Sequence, residues 1–170
     1  IGAGDGASVH RTVHSSMLLA VLSGISIAAI GVLAAPVALK MMKIPDEVFP
    51  LSVTYLRIFF LGAPASMVYN FGSAMLRATG DSKRPLYILT FSGIANVLLN
   101  LIFVIVFKMD VAGVALATII SQFISAVFIL IILLNANSVI RLSLQKLRFY
   151  KNEISDIIKI GVPMGIQSSL

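Results

Sequence analysis

The sequence predicts an all-α integral membrane protein, a polytopic bundle of transmembrane helices. Three observations predict it. Four apolar runs, residues 12–39, 58–76, 85–107 and 111–140, contain no Asp, Glu, Lys or Arg. An α-helix rises about 1.5 Å per residue and the hydrocarbon core is about 30 Å thick, so about 20 such residues cross it. The 170 residues are 58% hydrophobic and 12% charged, with a mean hydropathy of +1.00, too few polar groups to cover a soluble domain. Finally, Lys and Arg gather in alternate loops.

The first helix is expected over 12–39, with Ser16, Ala20, Gly24 and Ala28 forming a stripe of small residues. Such stripes let backbones approach closely in lipid. In the following loop Pro45 ends that helix, while Asp46 and Glu47 suit the start of the next through capping and the helix dipole. Residues 53–57 extend the second helix outward, and Arg57 lies near the interface, where it can snorkel. Pro64 removes an amide donor just after Gly62 and predicts a kink. A second small-residue stripe is Gly62, Ser66, Asn70, Ala74 and Ala78.

In the next loop Gly80 permits a turn, Asp81 or Ser82 can cap, and Pro85 starts the third helix. Residues 108–110 form a tight hairpin, so the third and fourth helices are antiparallel neighbours. Gly113 and Ala117 begin a third stripe of small residues. Residues 141–156 mix basic and apolar side chains and read as an amphipathic linker on the inner leaflet. The last 14 residues, 157–170, reach only about 21 Å as a helix and read as the truncated start of a fifth.

Orientation follows from charge. Loops 1–11, 77–84 and 141–159 hold nine Lys and Arg residues, whereas 40–50 and 108–110 hold three. The positive-inside rule therefore places the first set in the cytoplasm. The net charge of +6 follows membrane topology and does not form a nucleic-acid-binding face.

The chain has no Cys, which excludes disulfides and thiolate metal sites. No P-loop, zinc-protease or nucleophile-elbow motif occurs, so an enzyme is not expected. His10 and His14, four apart, could bind a metal with Asp5, but near a helix start solvation is the plainer reading. The informative positions are amides and hydroxyls inside the spans. Asn96 and Asn100 share a face of the third helix, and Thr118, Ser121, Gln122 and Ser125 lie on the fourth. Counting from the hairpin puts Asn100 and Thr118 at similar depth. Such oxygens suit a cation, a proton relay or a polar substrate; alternatively they only join helices by hydrogen bonds. Tyr69 and Asn70 could line the same cavity.

Residues 2–5 (Gly-Ala-Gly-Asp), 55–58 (Tyr-Leu-Arg-Ile), 76–85 (Leu-Arg-Ala-Thr-Gly-Asp-Ser-Lys-Arg-Pro), 96–100 (Asn-Val-Leu-Leu-Asn) and 111–118 (Val-Ala-Gly-Val-Ala-Leu-Ala-Thr) resemble the multidrug and toxic compound extrusion (MATE) family. The resemblance implies part of a twelve-helix, two-lobe transporter. Residues 1–140 would belong to the N-terminal lobe, 141–156 to the inter-lobe linker, and 157–170 to the first helix of the second lobe. It implies antiport of drugs or organic cations against H⁺ or Na⁺ by alternating access, in a multi-pass protein of the plasma membrane. The expected partners are the drug, the bilayer and the second lobe of the same chain, with no cofactor besides the coupling ion. Family members often carry Asn-x-x-x-Asp and a Thr as part of a cation or proton site, matching Asn96, Asn100 and Thr118. Here the second position is Asn, which cannot titrate. Gln122, Tyr69 and Asn70 complete the candidate cavity. A lipid-linked oligosaccharide flippase of the same superfamily and a non-transport scaffold are the rival readings.

Overall fold

Helix α1 (Gly6–Met41) is 36 residues long, about 54 Å, longer than a bilayer core is thick. The computed structural model describes residues 6–136 and 140–143, with the single positions 157, 159 and 167. Residues 6–11, expected as loop, are already helical because nothing in them breaks the first apolar run. Lys43 stops the helix in the left-handed region (φ 53°). Its N–H bonds to the Lys40 carbonyl at 3.0 Å and the Ile44 N–H to that of Leu39 at 3.4 Å, a Schellman closure.

The second span is two helices, α2 (Phe49–Leu61) and α3 (Ala63–Ala78), bent by 42°. Pro64 supplies the physical reason, since it cannot donate to the helix behind it. Helix α2 begins earlier than expected, with Pro50 in its first turn. Asp46 and Glu47 fall before that turn and no side chain caps it, so their expected capping role is not realised. Gly80 (φ 86°) ends α3, and Asp81 Oδ1 accepts the Arg84 N–H at 3.1 Å to start α4 (Lys83–Leu101). A π-helical turn, Ile102–Val106, continues α4. The hairpin then closes through left-handed Lys108 and Asp110 into α5 (Asp110–Leu134).

Three of these elements are long and apolar enough to cross a membrane: Ser8–Met41, Lys83–Val106 and Asp110–Leu134. The bent α2–α3 pair qualifies as a fourth span. Helix α1 packs on α2 and α3, while α5 packs on α2, α3 and α4. Glycines set the close crossings. A Cβ on Gly24 would stand 2.5 Å from the Pro64 Cα, and one on Gly72 would stand 2.7 Å from Ile129 Cγ1. The first stripe is buried as expected, with Ala20 fully covered. The second is not: Asn70, Ala74 and Ala78 are exposed, and α3 instead packs through Ala65, Val68, Gly72, Ser73 and Leu76. That face carries the larger apolar side chains, so its burial wins. Most of α4 presents bare apolar side chains, including Ile94 and Leu98, as a lipid-facing surface does.

Two polar details were not anticipated. Pro36 lies inside α1, so the Val32 carbonyl four residues earlier loses its usual partner. Arg57 supplies one from α2, Nε donating to the Val32 carbonyl at 3.3 Å. The fourth span also ends at Leu134 rather than 140, because Asn135 opens a polar stretch that disfavours helix. The chain turns back there, and Leu142 N–H donates to the Leu133 carbonyl at 2.9 Å. Ile140 and Leu142 are buried in the core, so Leu142 of the expected surface linker sits inside the bundle while Arg141 is exposed. The linker beyond 143 and the expected fifth helix lie outside the described residues, apart from the three single positions.

Candidate functional site

Helices α3, α4 and α5 enclose a cleft of about 360 Å³. The bend at Gly62 points the Ser66, Tyr69 and Asn70 face of α3 toward it, and the short hairpin holds α4 against α5 in antiparallel register. Asn96 Nδ2 donates to Ser121 Oγ at 3.3 Å, and Asn100 Nδ2 donates to Asn96 Oδ1 at 3.1 Å. One further turn each way brings Asn100 level with Ala117 and Thr118, the depth that counting from the hairpin predicts.

Five of the six candidate residues meet here. Tyr69, Asn70, Asn96, Thr118 and Gln122 line the cleft. Asn100 does not line it but touches it through Asn96. Ser92 and Gly93 on α4 also line it and were not singled out, although Ser92, Asn96 and Asn100 follow the four-residue spacing of one helix face.

The hydroxyls give the cleft its electrical character. Thr118 Oγ1 donates to the Val114 carbonyl at 3.0 Å and Ser121 Oγ to that of Thr118 at 2.7 Å. Ser125 Oγ donates to the Ser121 carbonyl at 3.1 Å, and Ser92 Oγ to that of Leu89 at 3.1 Å. Tyr69 OH donates across to the Pro85 carbonyl at 2.9 Å. A hydroxyl has one hydrogen and two lone pairs. In these five the hydrogen is used on backbone and the oxygen is left as an acceptor, a role the Ser121 oxygen already fills for Asn96. Gln122 Oε1 and Asn100 Oδ1 are buried without a hydrogen-bond partner. The Gln122 oxygen presses on Gly62, where any Cβ would collide with it. The lining contains no Asp, Glu, Lys or Arg. It is an uncharged surface of hydroxyls and side-chain amides, with an apolar edge at Leu89.

The other candidates separate from it. His14 is 1% exposed, so it is not solvated as its place near a helix start suggested. Among the described residues no group of three His, Asp or Glu side chains is placed to hold a metal; Asp5 lies outside them.

Comparison with known proteins gives the following. The MatE family model matches residues 1–102. The probable multidrug resistance protein YpnP of Bacillus subtilis (strain 168) is 36% identical over 156 residues, which are 91% of this chain and 35% of that protein. The multidrug export protein MepA of Staphylococcus aureus (strain NCTC 8325 / PS 47) is 29% identical over 124 residues, covering 73% of this chain and 28% of its own length. Among solved structures, a MATE protein in the bent conformation superposes with a TM-score of 0.81 at 21% identity, over 93% of this chain and 40% of that one. An outward-facing multidrug resistance MATE family transporter of the MOP superfamily gives 0.80 at 23% identity, over 93% and 38%. The chain thus spans little more than a third of the length of YpnP.

Proposed function

The chain belongs to the MatE family as a multi-pass membrane protein, and from that premise we propose that it contributes one wall of the substrate cavity of a multidrug exporter. The exporter resides in the plasma membrane and moves organic cations and other drugs against inward H⁺ or Na⁺. It works by alternating access, with helical bundles rocking about a central site. The uncharged polar cleft is the observation that supports this. Hydroxyl and amide oxygens with free lone pairs suit a cationic or hydrogen-donating guest, and the amide N–H groups of Asn70 and Gln122 in the same lining can meet an acceptor on it. The apolar edge accommodates its hydrocarbon part.

The lining carries no carboxylate, so the cleft recognises its guest by dipoles. The group that exchanges H⁺ or holds Na⁺ is supplied elsewhere in the protein. A flippase for lipid pyrophosphates would favour Lys or Arg in this position, and the lining has neither.

The experiment is uptake of a fluorescent organic cation by the full-length protein in proteoliposomes, with and without an imposed H⁺ or Na⁺ gradient. Gradient-driven uptake supports the reading. Equal leakage with and without either gradient overturns it.

A further inference from the structure

One buried polar contact lies outside the cleft lining. His14, 1% exposed in α1, uses both ring nitrogens on backbone. Nδ1 lies 2.7 Å from the His10 carbonyl oxygen, and Nε2 lies 2.9 Å from the Ser143 nitrogen. A carbonyl can only accept and an amide N–H can only donate. The ring is therefore neutral, with its hydrogen on Nδ1 and its lone pair on Nε2.

The residue it holds is where the chain returns after α5. Ile140 and Leu142 are 3% and 2% exposed and share one apolar cluster with Val13 and Met17 of α1, Leu76 of α3 and Leu133 of α5. Leu142 is also tied to the Leu133 carbonyl. Apolar burial and one α5 bond thus seat the segment, and His14 gives it a polar tie to α1.

We infer that His14 and the returning segment 140–143 form a proton-sensitive latch, in which a neutral imidazole fixes the chain leaving α5 to α1. Adding a proton to Nε2 removes its lone pair and sets two N–H groups against each other, so the bond to Ser143 is lost. Imidazole is the side chain whose ordinary titration falls near physiological pH. Among the described residues, the surrounding elements bring to this end His10, its ring centroid 4.1 Å away, and Arg11 on α1, Tyr69 and Arg77 on α3, Asp81 paired with Arg84, Lys83 and Tyr87 at the start of α4, and exposed Arg141 in the segment. Helix α5 brings none, because its one charged residue, Asp110, begins the opposite end. The segment loosens while the α1–α3–α5 packing stays.

The test uses the full-length protein in lipid nanodiscs, in a background lacking other cysteines, with a nitroxide at Arg141→Cys. Its mobility is followed by electron paramagnetic resonance from pH 8.5 to pH 5. The account predicts an immobilised spectrum at high pH and a growing mobile component as pH falls. His14→Gln keeps an acceptor oxygen that does not titrate, so its label stays immobilised throughout. His14→Phe keeps bulk without an acceptor, so its label is mobile at every pH. A second nitroxide at Thr79→Cys, in the α3–α4 turn, should not respond to pH. A pH-independent wild-type spectrum at Arg141, a His14→Gln response equal to wild type, or parallel loosening at Thr79 would overturn the latch. If His14→Phe does not fold, the wild-type and His14→Gln series still decide. No transport is measured, so this outcome is separate from that of the exporter reading.

Discussion

Replacing Gly24 by Ala tests the helix packing where one helix meets the backbone of another. The new methyl would stand 2.5 Å from the Pro64 Cα, 3.0 Å from its nitrogen and 3.2 Å from the Ala63 carbonyl oxygen. All three are backbone, so no side-chain rotation relieves the contact. Carbon atoms settle about 3.5–4.0 Å apart, so α1 and α3 must separate locally by about 1 Å. That movement also loosens buried Ala20 and Ala28 on the same stripe. Overpacking of this kind costs about 1–3 kcal/mol. Alanine also gains about 0.8–1.0 kcal/mol over glycine inside a helix. Gly93→Ala controls for this gain, since nothing lies within 4 Å of its Cβ position. Propensity cancels between the two variants, leaving Gly24→Ala less stable than Gly93→Ala by about 1–3 kcal/mol. Thermal unfolding of the two full-length variants in one detergent measures the order. Equal midpoints, or a higher midpoint for Gly24→Ala, would refute the close crossing at Pro64.

Asn96→Leu removes one interhelical hydrogen bond, worth about 0.6 kcal/mol or roughly threefold in an equilibrium. Export of an organic cation by the full-length variant should fall by much more than that at equal expression; a loss within threefold would reduce Asn96 to packing. Arg57→Met strips the Val32 carbonyl of its side-chain donor and should cost about 1 kcal/mol. The loss should shrink in a Pro36→Ala background, where residue 36 again has an N–H to offer; equal losses in both backgrounds would separate Arg57 from Pro36. Gly80→Ala forces an L side chain to φ near +86° and should destabilise the α3–α4 turn by about 1–2 kcal/mol. Gly80→Asn should lose less, and thermal midpoints would rank the pair.

Uncharged runs of helical length identified all four spans, and Gly62 and Pro64 identified the bend, because lipid leaves the backbone few alternatives to helix. The α4–α5 hairpin was legible for the same reason, and with it the shared depth of Asn100 and Thr118. Less legible was which face of each helix turns inward. Asn70, Ala74 and Ala78 follow a small-residue spacing but stay exposed, since Val68 and Leu76 offer more apolar area to bury. Position along a chain does not report packing direction. The ties made by Arg57 and His14 were hidden for a related reason. Each bonds a backbone group brought near only by the fold, and a carbonyl or amide has no sequence signature. Pro36 was the available hint, because a proline well inside a helix leaves the carbonyl four residues earlier without its helical N–H partner.

Thiol accessibility in native membranes tests the cleft most directly. Single cysteines at Ser66 and Asn70 would face the cavity, and those at Ile94 and Leu98 the acyl chains. A water-soluble, membrane-impermeant maleimide should label the first pair in the full-length protein and leave the second untouched. An excess of a transported organic cation should slow the labelling at Ser66 and Asn70. Labelling of Ile94 and Leu98 in preference to the cleft positions, or rates at Ser66 and Asn70 that ignore the cation, would contradict the assignment of this polar wall to transport.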